Sequence, residues 1–583
     1  MFAVRSKAGN RMKRCPSCNR IETDDALAFC RVDGTHLVAD TADADAATRT
    51  FGSSEYQRTE VLHGAGASAP PKYAVESSST GRVGQARTSP EYGRKRAFII
   101  TVVVSAVIAV AVAGFVAYRR ASISATPIDS IAVLPFQNQS SEADTEYLSD
   151  GLAESLIYRL SQLPNLKVSP TSSVLHYKGK GIDPVKVGNE LGVSAVMTGR
   201  IAQRGENLTI SVELIDVRTA KLIWGEQYDR KVSELLATQR EIASEITQRL
   251  KLKLSGAEQG LTKHYTENNE AYQFYLKGRF YWNKRTETDL KKGIEYFRQA
   301  VEADPKFALA WAGLADSYSL LPVYSETPTN EVRGRIRQAA TTALELDPNL
   351  AEAHTSYARL LFDYEWNFDE AEKEFRKAIE LNPNYATAHH WFSLLLAVRQ
   401  RREEAFKEIT RALEIEPLSR ILNNDYGQKL FNDGQTGQAI DRFKKTLELY
   451  PDFATAHSNL ALALLKAGKY QEAVNEQNQA IALAGRKSLL IAQMGYIYGV
   501  MGNGREAEKL LEELLERKER VGNYYVSIIY AGLGDKNKVF EYLEKAYQQR
   551  ELLVPYITIY SYFDFLRGDP RYQDLITSIG LTS

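Results

Sequence analysis

Five stretches of the chain, EADPKFALAW, ELDPNLAEAH, ELNPNYATAH, EIEPLSRILN and ELYPDFATAH, close an acidic-rich helical run with a proline. Those prolines, Pro305, Pro348, Pro383, Pro417 and Pro451, stand 43, 35, 34 and 34 residues apart. A period near 34 leaves room for two antiparallel helices and their turns, and for little else. One such hairpin cannot bury its apolar face alone, so consecutive hairpins must stack. The repeat therefore predicts an elongated all-α array in place of a single globule.

Small and aromatic residues recur at fixed slots within the period. In the unit from Ala351 to Pro383, Ala358 is the small residue of the first helix, while Ala371, Phe375 and Ala378 are the small, aromatic and small positions of the second. The following units repeat this with Ser393, Ala405 and Ala412, then Gly427, Ala439 and Phe443, then Ala461, Ala473 and Ala480. Helix axes approach closely only where no bulk lies between them. Weaker copies extend the array over Ala271–Ala303, with Gly278, over Ser488–Glu519, with Gly495 and Ala507, and over Arg520–Ala546. Period and slots resemble the tetratricopeptide repeat, which implies a solenoid of about eight helical hairpins over residues 269–550. The junction SLLPVYSETPTNEV adds residues inside one unit, and the tail over residues 551–583, with FDFLRGDPRYQDLITSIGL, resembles the capping segment that ends such arrays.

Upstream lies a unit of mixed pattern. SIAVLPFQN is an apolar run ending in turn residues, and EYLSDGLAESLIYRLSQLP carries apolar residues at helical spacing, so a strand precedes a helix. Asp183 before Pro184 is a helix start, with a capping side chain followed by proline at the first helical position. From Ser194 to Val232 apolar and polar residues alternate through two turn signals, which predicts a β-meander. IAVLPFQN, YLSDGLAESLIYRLSQLP, NELGVSAVMTGRI and LIDVRTAKLIWGEQYDR together resemble the TolB amino-terminal-like or FlgO-like domain over residues 127–256. That resemblance implies a small α/β unit with a non-catalytic role.

The cysteines are confined to RCPSCNR and FCRVDG. Cys15, Cys18 and Cys30 followed by Asp33 give C-x2-C-x11-C-x2-D, which resembles a bacterial zinc ribbon over residues 12–38. The resemblance implies bound Zn2+, with Asp33 or His36 as the fourth ligand; a ribbon that has lost its metal is the competing reading. Residues 39–93, rich in Ala, Ser, Thr and Gly without periodicity, predict a disordered linker. Residues 97–118 hold no charge over 22 positions and predict one transmembrane helix. Arg82, Arg87, Arg94, Lys95 and Arg96 before it outweigh Arg119 and Arg120 after it. The positive-inside rule then gives a single-pass inner-membrane protein with a cytoplasmic N-terminus and extracytoplasmic C-terminal domains. The expected fold is thus multidomain: a small zinc ribbon, one transmembrane helix, an α/β TolB-N-like domain and an all-α tetratricopeptide-repeat solenoid.

With 73 basic and 73 acidic residues in 583, no charge imbalance asks for nucleic acid. The sequence holds no GxxxxGK loop, HExxH site or GxSxG elbow, so an enzyme is not expected, nor a small-molecule substrate. His354, His389 and His457 fall at one repeat position and read as packing. In such a superhelix the first helices line the concave face. Its exposed slots assign Arg359, His390, Asn424, Gln428, Ser458 and Tyr496 to a groove for an extended peptide or partner helix. The function expected is a non-enzymatic membrane scaffold that binds proteins or peptides; the alternative is a signalling component relaying a binding event to the ribbon.

Overall fold

The computed structural model describes residues 13–14, 21–22, 38–39, 128–140, 145–163, 166–179, 183–250, 265–517 and 521–581. The chain divides into two units, Met1–Ser105 and Ala106–Ser583. In the first, β1 (Lys13–Arg14) pairs antiparallel with both β2 (Ile21–Glu22) and β3 (Val38–Ala39). Cys15, Cys18, Cys30, Asp33 and His36 lie outside the described residues, as does the linker over residues 39–93 apart from Ala39.

The expected membrane placement needs correction. Among the described residues no helix is long and apolar enough to cross a membrane, and residues 97–118 lie outside them. The inner-membrane, single-pass assignment is therefore withdrawn.

The second unit opens with an α/β domain. Its strands are β4 (Ser130–Val133), β5 (Gln137–Asn138), β6 (Lys167–Val168), β7 (Ala195–Arg204), β8 (Asn207–Asp216) and β9 (Lys221–Lys231), in the order β6-β4-β7-β8-β9 with β5 beside β7. Pairs among β4, β5, β6 and β7 are parallel, whereas β7-β8-β9 is the antiparallel meander that the alternation predicts. β4 is buried throughout, as a parallel strand covered on both faces must be. The helices are α1 (Glu146–Ser161), α2 (Thr171–Leu175), α3 (Pro184–Leu191) and α4 (Leu235–Arg249). α3 begins as its sequence predicts: the Asp183 carboxylate accepts from the Val185 amide, and Gly192 ends the helix in the left-handed region.

Eight helical hairpins follow among the described residues: α5 (Asn269–Lys284) with α6 (Glu287–Ala303), α7 (Ala308–Tyr324) with α8 (Thr329–Leu346), α9 (Ala351–Arg359) with α10 (Phe368–Leu381), and α11 (Ala386–Val398) with α12 (Arg402–Ile415). Then come α13 (Arg420–Asn432) with α14 (Thr436–Leu449), α15 (Ala454–Lys466) with α16 (Tyr470–Ala484), α17 (Ser488–Val500) with α18 (Gly504–Glu516), and α19 (Asn523–Leu533) with α20 (Lys536–Gln548). The slot residues work as their sizes suggest. Ala371, Phe375, Ala378, Ala439 and Phe443 are wholly buried, and a Cβ placed on Gly427 would stand 2.7 Å from the Phe443 ring.

The long SLLPVYSETPTNEV junction is accommodated by running α7 on through Pro322 to Tyr324. A second irregularity sits in the third hairpin, where α9 continues as a π-helical turn over Leu360–Glu365. Pro348 and Pro383 are 35 residues apart, one more than the period, and a π turn is how a helix absorbs one extra residue.

The array coils far enough for distant hairpins to meet. Arg420 Nη2 donates to the Lys284 carbonyl at 2.7 Å, the Ser488 amide to Glu326 Oε1 at 2.8 Å, and Arg333 Nη2 to the Arg550 carbonyl at 3.2 Å. Across the coil run residues Leu552–Leu566, with two 3₁₀ turns, Val554–Thr558 and Ser561–Leu566, before the final helix α21 (Pro570–Ile579).

The α/β domain is joined to the first hairpin by a shared core. α1 lies along α5 so closely that a Cβ on Gly151 would sit 3.1 Å from Leu276 Cβ. Beside that apolar contact Glu154 accepts from Arg279 Nε at 3.0 Å, Arg279 Nη2 at 2.8 Å and Asn283 Nδ2 at 3.1 Å. Further along, Asn384 Nδ2 donates to the Ser161 carbonyl at 3.3 Å, so α1 also reaches the turn between the third and fourth hairpins.

Candidate interaction surface

The first helix of each hairpin faces inward, and the six residues assigned to the groove all sit on first helices. They do not form an open groove. Arg359 is 4% exposed, with its Nε against Asp363 Oδ2 at 2.5 Å and its guanidinium 5.0 Å from the Trp391 ring centroid. His390 is buried, with Nε2 2.7 Å from Asp425 Oδ2; burial lowers its pKa against the pull of Asp425. Asn424 donates to Asp425 Oδ1 at 2.9 Å and accepts from Asn459 Nδ2 at 3.1 Å. Gln428 is half-buried and donates to Asn432 Oδ1 at 2.8 Å.

Ser458 Oγ lies 2.8 Å from Gln477 Oε1 and 2.5 Å from Gln493 Oε1, and Gln493 Nε2 donates on to the Tyr562 hydroxyl at 2.8 Å. Tyr496 meets Tyr562 edge-to-face at 5.0 Å, and burial pushes its hydroxyl up to about 12. These side chains form a polar ladder from first helix to first helix: His390 to Asp425, Asn424 to Asn459 and Ser458 to Gln493 each span 35 residues, one repeat and one position. Buried polar groups are costly unless paired, and here the pairing partner is supplied by the neighbouring repeat.

Two more buried charges belong to this interior. Asp316, 2% exposed, accepts from Ser356 Oγ at 2.5 Å, and burial raises its carboxyl to about 7 despite that bond. Lys429, 6% exposed, donates to the Ser393 carbonyl at 3.1 Å, and burial lowers its amine to about 8 despite Asp425. It lines a pocket with Gln400, Arg402, Phe406, Ile559 and Arg567.

The sequence reading passed over Asp425 and Gln493, although polar residues 35 apart on first helices are a usable signal, and Asp316 and Asp363, whose partners Ser356 and Tyr556 lie 40 and 193 positions away and give none. It also passed over Tyr556, Thr558 and Tyr562, which carry no repeat signal because they lie past the last hairpin. The histidines do behave as a repeat habit. His354, His389 and His457 each bond a glutamate on the second helix of their own hairpin, Glu374, Glu408 and Glu476, at 2.5, 2.5 and 2.6 Å. Their Nε2 atoms bond the carbonyls of Pro348, Pro383 and Pro451 at 2.8, 3.1 and 3.0 Å, which pins each helix to the turn before it.

Comparison with known proteins agrees with the array. Tetratricopeptide-repeat profiles match residues 274–307, 352–385 and 427–487. Residues 127–249 match the profile described as the HilA/YgeH-like transcriptional regulator, second domain. Among curated proteins, "Putative adenylate cyclase 3" of Rhizobium meliloti (strain 1021) is 30% identical over 250 residues, 42% of this chain and 42% of that protein. Protein FlbA of Caulobacter vibrioides is 26% identical over 222 residues, 38% of this chain and 35% of that one. The chain thus spans less than half the length of these relatives. Among solved structures, Pseudomonas aeruginosa PilF is 18% identical with a TM-score of 0.28, covering 40% of this chain and 97% of that one. YrrB, described as a TPR protein with an unusual peptide-binding site, is 19% identical with a TM-score of 0.24, covering 35% and 96%. The chain carries a tetratricopeptide-repeat solenoid behind an α/β domain, and such repeats are protein-interaction modules.

Proposed function

We propose that the protein is a non-enzymatic adaptor in a bacterial regulatory pathway, with the repeat array and its docked α/β domain acting as one protein- or peptide-binding body. The observation that carries this reading is the inward face itself, where the first helices line a coil already crossed by a side-chain-anchored segment of two 3₁₀ turns. A solenoid that can hold one peptide-like segment is suited to hold another.

A signalling variant of the same reading draws support from the HilA/YgeH-like match and from the name of the adenylate cyclase relative. In that variant the array senses a partner and the N-terminal ribbon transmits the result, with Zn2+ held by Cys15, Cys18, Cys30 and Asp33 or His36. The TolB amino-terminal-like reading of residues 127–256 rests on its four sequence motifs.

Two assays test the proposal. Purified full-length protein with ATP and divalent metal is expected to form no cyclic AMP; turnover that tracks the protein through purification would overturn the non-enzymatic reading. In-cell crosslinking of the same chain is expected to trap other proteins on the array, and an array that yields only self-crosslinks contradicts the adaptor reading.

A further inference from the structure

Residues 551–566 read ELLVPYITIYSYFDFL, with Asp564 the one charge after Glu551. The Glu551 carboxylate fastens the start of this stretch by accepting from the amides of Asn523 and Tyr524 at 2.8 and 3.0 Å, at the N-terminus of α19. Beyond it the backbone amides bond locally, as Tyr556 does to the Leu553 carbonyl and Ile559 to the Tyr556 carbonyl. What ties the segment to the array is a row of side-chain anchors.

Tyr556 donates to Asp363 Oδ1 at 3.0 Å and packs 5.7 Å from the Phe362 ring, on the π turn of the third hairpin. Thr558 Oγ1 donates to the Val398 carbonyl at 3.0 Å, while its own carbonyl accepts from Gln400 Nε2 at 3.0 Å, on the fourth. Tyr562 takes the bond from Gln493 on the seventh, and Phe563 meets Tyr524 at 5.6 Å on the eighth. Four first helices, far apart in sequence, are bridged by one short stretch. Side chains in pockets with few lateral backbone bonds are the pattern of a peptide laid in a groove.

We propose that residues 552–566 are an intramolecular ligand of the concave face. The array holds a segment with Asp564 as its one charge and three tyrosines, of which Tyr556 and Tyr562, six residues apart, hydrogen-bond to the array; a partner peptide of that same chemistry enters by displacing it. The proposal rests on the array being a peptide binder. Tethering keeps the resident segment at an effective concentration of the order of millimolar, so a free competitor meets a groove that is closed at rest. A pocket lined by Lys429, Phe406, Ile559 and Arg567 marks where the end of the segment packs least closely on the array.

The probe is a labelled synthetic peptide of residues 552–566, added to the full chain. A Tyr556→Ala, Tyr562→Ala chain that keeps its far-UV circular dichroism and cooperative melt is expected to bind the peptide at least tenfold more tightly than the unaltered chain. Equal binding, or none, would overturn the proposal. Hydrogen exchange on the unaltered protein decides the matter even where the double variant does not fold. Amides of 554–566 are expected to exchange well ahead of those in α11 and α17, through an opening that leaves the array intact. Exchange at the same slow rate as those helices would make the segment a fixed part of the core and end the proposal. The adaptor reading survives that result if protein crosslinks still form on the outer surface, and falls by itself if none form.

Discussion

Single residues in this protein are constrained by the repeat more than by their own propensities. Gly427 sits mid-helix, where alanine is ordinarily favoured by about 1 kcal/mol. Against the Phe443 ring, however, an added methyl has no room. Gly427→Ala is expected to cost about 1–3 kcal/mol, read as a lower melting temperature; a stabilised protein would mean the ring moves freely aside. Asp316 gives a pH signature. Its folded pKa of about 7 lies above the unfolded value, so its contribution is fully present below about pH 4 and is lost as pH rises through 7. Asp316→Asn removes this titration, and its melting temperature relative to the parent is expected to rise between pH 5 and pH 8.5. A difference that stays flat across that range would place the carboxylate in contact with water. His354 has the same sign for a different reason. Burial opposes its charge, yet Glu374 and the Pro348 carbonyl, both acceptors, raise its pKa and favour the doubly protonated ring.

At the scale of elements, the contact between α1 and α5 is the joint that makes two domains one body. Glu154 is its polar centre, and removing it leaves the Arg279 guanidinium, beside Tyr275, Tyr385 and Trp282, without the carboxylate that accepts its hydrogen bonds. Glu154→Ala is expected to cost about 2–4 kcal/mol in denaturant unfolding, with Glu154→Ala, Arg279→Met recovering part of the loss. A single substitution without effect would show the two domains to be independent.

Much of this level was legible in advance, because hairpin boundaries follow from prolines, small residues and period. The start of α3 was equally plain from Asp183-Pro184. The π turn was half-legible: a spacing of 35 announced one extra residue, but only packing decides where a helix swallows it. Sheet order was not legible, since pattern gives strands without saying which edges meet.

The whole molecule departs from its sequence in one respect that matters for function. Counting slots on first helices gave a groove lined by Arg359, His390, Asn424, Gln428, Ser458 and Tyr496, and those residues do face inward. Arg359 and Gln428 pair four residues along their own chain, whereas His390, Asn424, Ser458 and Tyr496 find partners on hairpins one period away or on the segment past the array, which also joins Asp363 to Tyr556, 193 positions on. No local pattern encodes such a pairing. The coil closes on itself through Arg420, Ser488 and Arg333, so the concave face is a filled interior and partner access becomes a question of exchange. A photo-crosslinking amino acid placed at position 496, beside Tyr562, tests this in living cells. The otherwise unaltered chain is expected to crosslink to its own residues 552–566, and the Tyr556→Ala, Tyr562→Ala chain to other proteins; identical self-crosslinks from both chains, with no partner protein from either, would contradict a displaceable segment.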